Sequence, residues 1–199
     1  RRAAPTEDAG AIVSRVIAMP LLLLLGACAA IPAARVALPQ PRLAPASLAM
    51  DVSLGQRLRF STGGDERAPA VIDAQLDVDA QALRLAGFSF GRRVLMLVWD
   101  GVRLDEQRDA RWPAQVAAAS VLRDIQFVYA PLAELQAAMP PRWRVSESGG
   151  RRELRYRGMP AIVIDYATMP RWRGAVHLDN RLEGYRLDIE TADASVEAE

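Results

Sequence analysis

An apolar run that ends near the only cysteine of the chain constrains which residues can belong to the folded domain. The run covers residues 16–31, a length of 16 residues, and contains five consecutive leucines. It is too short for a transmembrane helix, which needs roughly 20 apolar residues to cross the bilayer core. Pro20 lies inside it and the leucines have no amphipathic period, so it is also unsuited to a core helix. The run is therefore predicted to lie outside the folded domain.

The end of this run resembles the lipobox of bacterial lipoproteins. Residues 25–27 (Leu-Gly-Ala) precede Cys28, in the arrangement of a signal peptide that is cut before a lipidated cysteine. The resemblance implies removal of residues 1–27 and lipid attachment at Cys28, which would account for a lone cysteine in an exported protein. Ala29 follows the cysteine, and this implies sorting to the periplasmic face of the outer membrane.

The residues ahead of the apolar run do not fit the short, basic start of a signal peptide. They include Pro5, Glu7 and Asp8. We therefore predict that the natural leader begins near Val13, and that residues 1–27 are a signal peptide with an over-long start. Mapping of the translation start tests this.

Length and charge indicate one globular domain behind the leader. Removing 27 of the 199 residues leaves 172, the size of a single domain. The net charge is +1, from 25 basic residues, all arginine, and 24 acidic ones. A general nucleic-acid binder would be strongly basic, so we predict no nucleic-acid partner. After Cys28 the soft metal ligands are reduced to His177, so we predict no metal site and no cofactor.

The two flanks of the domain have compositions of their own. In residues 28–47 four prolines alternate with alanine-rich stretches, which is typical of an extended, semi-rigid spacer. We predict a tether there that holds the domain off the membrane. Residues 192–199 are acidic and are predicted to form a flexible tail. The domain itself is predicted to occupy residues 48–191.

Within the domain, alternation of apolar and polar residues predicts about five strands, then helices, then about five more strands. Residues 94–99 are apolar on both faces, which is typical of a central strand. Asp100 and Gly101 follow them and are a strong hairpin signal. After Pro113 the apolar positions recur at helical spacing, and Pro131 separates a first helix from a second.

One or two helices cannot cover both faces of ten strands, so the sheet must curve around them. We therefore predict a mostly β fold with a helical insertion, of the α+β class. Its expected architecture is a curved antiparallel sheet or open barrel of about ten strands, with one or two helices on the concave face.

Three short motifs, in this layout, carry a resemblance to a known family. They are residues 95–101 with their Trp-Asp-Gly turn, residues 120–126, and Asn180 with residues 184–187. The chain resembles the LolA/LolB lipoprotein-carrier fold and, more closely, a family of uncharacterised LolB-like bacterial lipoproteins. The resemblance spans residues 45–191 and implies an incomplete barrel with a helical lid and an apolar cavity. It also implies a lipid or acyl ligand and an association with aryl-polyene and related fatty-acid-type synthesis.

Seven aromatic side chains are candidates for the lining of that cavity, with core packing as the alternative for each. They are Phe60, Phe88, Trp99, Phe127, Tyr129, Trp143 and Trp172. Catalysis is disfavoured. The Gly-x-Ser-x-Gly motif does not occur, and Ser120 falls on a predicted helix rather than on a strand-to-helix elbow. His177 lies on the polar face of its strand, between Arg173 and Asp179. A surface histidine is the favoured interpretation, since a catalytic base needs partners within hydrogen-bond reach.

The leading hypothesis is a non-enzymatic lipoprotein that is anchored to the outer membrane through Cys28. It would bind or transfer a lipid or acyl ligand in the periplasm, either a lipoprotein acyl group or an aryl-polyene-type lipid. Two alternatives stay open. One is an assembly lipoprotein that recruits a synthesis or export complex. The other, less favoured, is a lipid hydrolase that uses Ser120 or His177.

Overall fold

The computed structural model describes residues 36–63, 69–113 and 116–196. The predicted leader, the lipidation site Cys28 and residues 29–35 of the predicted tether lie outside these ranges. Within them, each helix is too short or too polar to span a membrane.

Ten antiparallel strands form one continuous sheet. The strands are Val52–Thr62 (β1), Ala70–Val78 (β2), Leu83–Ser89 (β3), Arg92–Trp99 (β4), Leu104–Arg108 (β5), Trp143–Ser148 (β6), Arg151–Tyr156 (β7), Met159–Tyr166 (β8), Ala175–Asn180 (β9) and Tyr185–Val196 (β10). Their order in space is β5-β4-β3-β2-β1-β10-β9-β8-β7-β6. Two meanders of five strands therefore meet where the first strand pairs with the last. β5 and β6 are the edges, so the sheet is not closed into a barrel. The predicted open antiparallel sheet is confirmed.

Period-two alternation gives the strands one buried face. In β1 the side chains of Val52, Leu54 and Gln56 are buried. Arg57, which follows Gln56 and lies on the other face, is exposed. Burial of the apolar side chains is the main favourable term, at about 25 cal/mol per Å² removed from water. The buried Gln56 is the exception on this face, because it is polar.

The predicted hairpin at Asp100 and Gly101 joins β4 to β5 and is confirmed. Gly101 has a φ of 96°, a left-handed conformation that glycine adopts at little steric cost. The Oδ1 atom of Asp100 accepts hydrogen bonds from the backbone N–H groups of Val102 and Arg103, at 2.8 and 2.7 Å. The aspartate thus fixes the turn that the glycine permits.

Two helices connect β5 to β6: α1 spans Ala118–Tyr129 and α2 spans Leu132–Ala137. Pro131 separates them, as predicted, because it has no N–H group with which to continue α1. α2 is joined to β6 by Gln136, whose Oε1 atom accepts a hydrogen bond from the backbone N–H of Val145 at 2.8 Å.

The buried guanidinium of Arg152, on β7, holds the C-terminal end of α1. The last carbonyl groups of a helix have no partner inside the helix. Arg152 donates hydrogen bonds to the carbonyl oxygens of Phe127, Val128 and Ala130, at 2.6, 3.4 and 2.8 Å. It also donates to the carboxylate of Glu147, at 3.0 Å from Nε and 2.8 Å from Nη2. One side chain therefore connects the helix to the second meander.

Glu147 balances the positive charge that is buried under the helix. Burial alone would raise the pKa of Glu147, but hydrogen bonds from Arg171 and Arg152 outweigh it and lower that pKa below its usual value. The carboxylate is therefore ionised at neutral pH. The guanidinium of Arg152 faces the negative end of the α1 dipole, which is a favourable position for a cation.

The segment before β1 is packed onto the domain, and this corrects the predicted tether. Leu38, Leu43 and Leu48 are buried. The carbonyl oxygen of Leu43 accepts a hydrogen bond from Nε1 of Trp99 at 2.7 Å. The prolines between these leucines are typical of a spacer, but burial of the leucine side chains outweighs that local preference. The prediction of a tether now applies only to the residues before Leu38.

The other flank is corrected as well, because β10 continues to Val196. Its register pairs Ser195 with Ser53 and Val196 with Val52. Residues 192–196 are therefore part of the sheet, although their acidic composition predicted a tail. The start of β1 has backbone N–H and C=O groups that need hydrogen-bonding partners, and the end of β10 supplies them. This explains the difference, since an unpaired buried backbone group is costly.

We expect Arg152→Met to lower the free energy of unfolding by about 3–5 kcal/mol, because it removes one member of a buried ion pair and leaves helix carbonyl groups unpaired. Urea denaturation measures the change. Arg151→Met is the matched control on the same strand, since its side chain is 46% exposed and its ion pairs lie at the surface. A loss no larger than that of the control would contradict this role of Arg152.

Candidate functional site

A cavity of about 670 Å³ lies between α1 and the inner face of the sheet. Its walls come from β1, β2, β3, β4 and β10 on one side, and from α1 and the residues before it on the other. The apolar lining residues include Leu58, Phe60, Ile72, Leu85, Leu95, Trp112, Val116, Val121, Ile125, Leu187 and Ile189. On α1, Val121, Ile125 and Tyr129 are four residues apart and share one face.

The cavity is closed at one end and open at the other. Along β1 the inward side chains change from buried at Gln56 to half-buried at Phe60, and Thr62 at the end of the strand is exposed. On β10 the same gradient runs from the buried Ile189 to the half-buried Tyr185. We call the end at Thr62 and Tyr185 the mouth and the end at Gln56 the closed end. Along β1 the two ends are six residue steps apart, which is about 20 Å.

Two polar side chains meet at the closed end. Gln56 is 6% exposed and Tyr129 is 3% exposed. The Nε2 atom of Gln56 donates hydrogen bonds to Oη of Tyr129 at 2.7 Å and to Oγ1 of Thr191 at 3.2 Å. Burial raises the pKa of Tyr129 to about 12, against the smaller opposing effect of Gln56. The phenol therefore keeps its proton at neutral pH.

A network of charged and polar groups lies at the mouth. Arg123 is 2% exposed and donates from Nη1 and Nη2 to the two carboxylate oxygens of Glu183, at 2.8 Å each. It also donates to Asp124 at 3.0 Å and to Oη of Tyr185 at 3.0 Å. Tyr185 in turn donates to the other oxygen of Asp124. The network joins α1 to the turn between β9 and β10.

Burial is the largest influence on the pKa of the aspartate in this network. It raises the pKa of Asp124, although the ion pair with Arg123 and the hydrogen bond from Tyr185 act in the opposite direction. Asp124 and Glu183 are the two acidic residues that line the cavity. Both lie toward the mouth, because Tyr185 pairs with Thr62 at the end of β1.

An exposed aromatic residue projects from a turn at the mouth end of the sheet. Phe90 and Gly91 connect β3 to β4, with positive φ angles of 50° and 72°. The side chain of Phe90 is fully exposed. Because Phe88 pairs with Asp73 near the start of β2, this turn and the first residue of β2, Ala70, lie at the same end. Sequence alternation did not single out Phe90, since its exposure follows from the turn.

Two of the seven predicted aromatic residues line the cavity. Phe60 lies on β1 between the closed end and the mouth, and Tyr129 lies at the closed end. Phe88 is half-buried on β3, next to a break in the register after Gly87. It is not among the lining residues, so the prediction for Phe88 is corrected.

The other four aromatic residues pack elsewhere in the protein, so their predicted place in the cavity is corrected. Trp99 is 1% exposed, and its Nε1 bonds to the segment before β1. Phe127 is completely buried in the core on α1. Trp143 packs against Tyr156, with ring centroids 5.3 Å apart. Trp172 is half-buried in the loop between β8 and β9. Core packing was the stated alternative for each of them.

The residues considered for catalysis are not brought together. Ser120 is on α1 and lines the cavity. His177 is on β9, with its side chain 61% exposed and its Nδ1 atom 2.7 Å from Oδ1 of Asp188 on the neighbouring strand. Val176 and Leu178, on either side of it, are buried, so His177 points away from the interior. Among the described residues, no cluster of three histidine, cysteine or acidic side chains could hold a metal ion.

Gln56 is the site residue that sequence reasoning missed as a functional candidate. Its signal was present in the sequence, because it occupies an inward position of an alternating strand between Leu54 and Leu58. A polar residue at such a position is uncommon in a filled core and needs a hydrogen-bonding partner. The partner, Tyr129, is 73 residues away along the chain, so only the fold reveals the pair.

Together the sheet, the helix and the cavity define a class of protein. It is an open antiparallel sheet curved around a helix, with a one-ended apolar cavity of a size that holds small apolar ligands. Over residues 53–193 the chain matches the model of a family described as a protein of unknown function (DUF3261). The chain belongs to this family.

Comparison with individual proteins gives a similarity of structure. No curated protein sequence matches the chain. Among solved structures, it is similar to a LolA superfamily protein from Nitrosomonas europaea, with a TM-score of 0.46 and 10% sequence identity. The similarity covers 82% of this chain and 96% of that chain.

Proposed function

We propose that this protein is a periplasmic lipoprotein that binds a lipid or acyl chain in the cavity under α1 and transfers it. The observation that carries the proposal is the cavity, about 670 Å³ in volume and lined mainly by apolar side chains. A filled interior would have favoured the alternative of an assembly lipoprotein. The fold instead leaves room for a ligand between α1 and the sheet, although both contribute other residues to the packed core.

An alkyl chain suits the shape and chemistry of this cavity. The apolar walls extend for about 20 Å along β1, and burial of one methylene group contributes about 0.8 kcal/mol. Affinity would therefore rise about fourfold with each methylene group that enters. Chain length, more than polar recognition, would set the strength of binding along the walls.

The mouth has features that suit contact with a membrane. Phe90 is fully exposed at that end, and Arg92 and Arg93 follow it with exposed side chains. An exposed aromatic ring can enter the interfacial region of a bilayer, and arginines are attracted to anionic lipid headgroups. A ligand could pass between the membrane and the cavity at this end.

We further propose that Cys28 carries the lipid anchor at the outer membrane. Ten residue steps separate Cys28 from Leu38, where the packed segment begins, so the chain between them can reach at most about 35 Å. The anchor would hold the domain close to the membrane surface. The identity of the ligand as a lipoprotein acyl group or an aryl-polyene-type lipid is part of the same proposal.

We expect Val121→Trp to weaken binding of the fluorescent reporter anilinonaphthalene sulfonate roughly tenfold, which corresponds to about 1.4 kcal/mol. Val121 lines the cavity, and an indole there would occupy part of the volume. Ala119→Trp is the matched control, because Ala119 is an exposed residue on the same helix. Fluorescence titration of the full chain measures both. Equal affinity of the two variants would contradict binding in this cavity.

We expect Cys28→Ala to remove the protein from the outer-membrane fraction, because the thiol that accepts the lipid is lost and an unlipidated chain lacks the acyl anchor. Separation of the membranes by density, followed by immunoblotting, measures the distribution. Ala30→Ser, a small change beside the cysteine, should keep the normal distribution. An unchanged location of Cys28→Ala would overturn the proposed anchor.

A further inference from the structure

The closed end of the cavity has hydrogen-bonding capacity that the described residues do not use. As oriented, the amide of Gln56 donates from Nε2 to Tyr129 and Thr191, and its Oε1 atom has no partner among the described residues. The hydroxyl of Tyr129 accepts from Gln56, and no described residue accepts its proton. Both residues are more than nine-tenths buried and both line the cavity.

The unused capacity does not depend on how the amide of Gln56 is oriented. If its oxygen and nitrogen were exchanged, the oxygen would accept from the two hydroxyl groups, and the NH₂ group would be the end without a partner. The oxygen of Tyr129 could then accept a further hydrogen bond. In either orientation the pair offers at least one donor and at least one acceptor to whatever occupies the closed end.

Such groups select against a purely apolar ligand. A buried polar group without a partner costs about 1–3 kcal/mol. Water can supply the partner in an open cavity, but a chain that displaces this water and cannot replace its hydrogen bonds loses affinity. A ligand that fills the cavity to its closed end is therefore favoured if it places a polar group there.

The surroundings specify that this polar group is uncharged. Ala74 pairs with Gln56, and Gly87 and Leu95 continue this row across β3 and β4; all three line the cavity. The acidic residues of the lining, Asp124 and Glu183, lie toward the mouth. An ionised group at the closed end would lose its hydration without a partner of opposite charge, which is far more costly than burial of a neutral group.

We propose that Gln56 and Tyr129 recognise a neutral hydrogen-bonding group, of which a hydroxyl is the best match, on an alkyl or acyl chain bound in the cavity. A hydroxyl both donates and accepts, so it complements the donor and the acceptor that the pair presents. This inference rests on the proposed lipid-binding function and adds the chemical class of the ligand: a chain with a neutral polar group at the end that enters first.

The test compares two probes that differ in one group, decanol and decyl chloride, in which chlorine replaces the hydroxyl. Each competes with anilinonaphthalene sulfonate for the full chain. Tyr129→Phe and Gln56→Leu should each weaken decanol binding roughly 2- to 12-fold, the range for loss of one hydrogen bond. Binding of decyl chloride should stay the same or become tighter. Tyr156→Phe, which removes a hydroxyl outside the cavity, should change neither.

The outcomes separate this inference from the function on which it rests. If both probes bind the unmodified protein but each variant changes both affinities equally, the pair is structural and the inference is overturned. If neither probe binds the unmodified protein, the proposed function fails and the inference fails with it.

Phe60→Ala, in the apolar wall, should weaken the binding of both probes, which reports that they occupy the cavity. Tyr129→Phe keeps the aromatic ring, so the comparison of the two probes with this variant tests the inference even if Gln56→Leu does not fold.

Discussion

The rest of the structure depends on the hydrogen bonds of one buried group, the guanidinium of Arg152. It binds carbonyl groups at the end of α1 and the carboxylate of Glu147. A charge can be this deeply buried only when its hydrogen bonds are satisfied and it has a counter-ion. By fixing the C-terminal end of α1 to the second meander, Arg152 determines which part of the sheet the helix covers. The first meander keeps an inner face that the helix approaches but does not fill.

The cavity follows from the mismatch between the sheet and its helices. Ten strands at about 4.8 Å spacing make an arc of roughly 43 Å. α1 has 12 residues and α2 has six, so at 1.5 Å per residue they are about 18 and 9 Å long. The segment that contains Leu43 fills one end of the first meander, where it contacts Trp99. In the part of the chain that the structure describes, no element fills the other end, and this end is the mouth.

Local sequence patterns predicted the parts of the structure that depend on neighbouring residues. Alternation along β1, the turn at Asp100 and Gly101, and the break between helices at Pro131 were all readable, because each is determined within a few residues. The packing of residues 38–48 was not readable in this way. Their prolines indicate a spacer, and the burial of three leucines depends on a surface formed by distant parts of the chain.

The candidate site was predicted as a type of cavity but not residue by residue. The aromatic character of a residue alone could not distinguish Phe60, which lines the cavity, from Trp99, which is buried in the core. That distinction depends on where α1 lies over the sheet. The buried Gln56 was a better signal than most aromatic residues, because a polar side chain on an inward face requires a partner. Its partner is on α1, so the signal could be interpreted only with the fold.

The central claim is that the cavity holds a lipid-like ligand, and native mass spectrometry of the protein isolated from the cells that produce it tests this claim most directly. We predict a species heavier than the protein alone by the mass of a discrete alkyl-chain compound that carries a neutral polar group. We also predict that this species is lost when a bulky residue occupies the cavity. A spectrum that contains only the mass of the protein alone, under conditions that preserve non-covalent complexes, would contradict this claim.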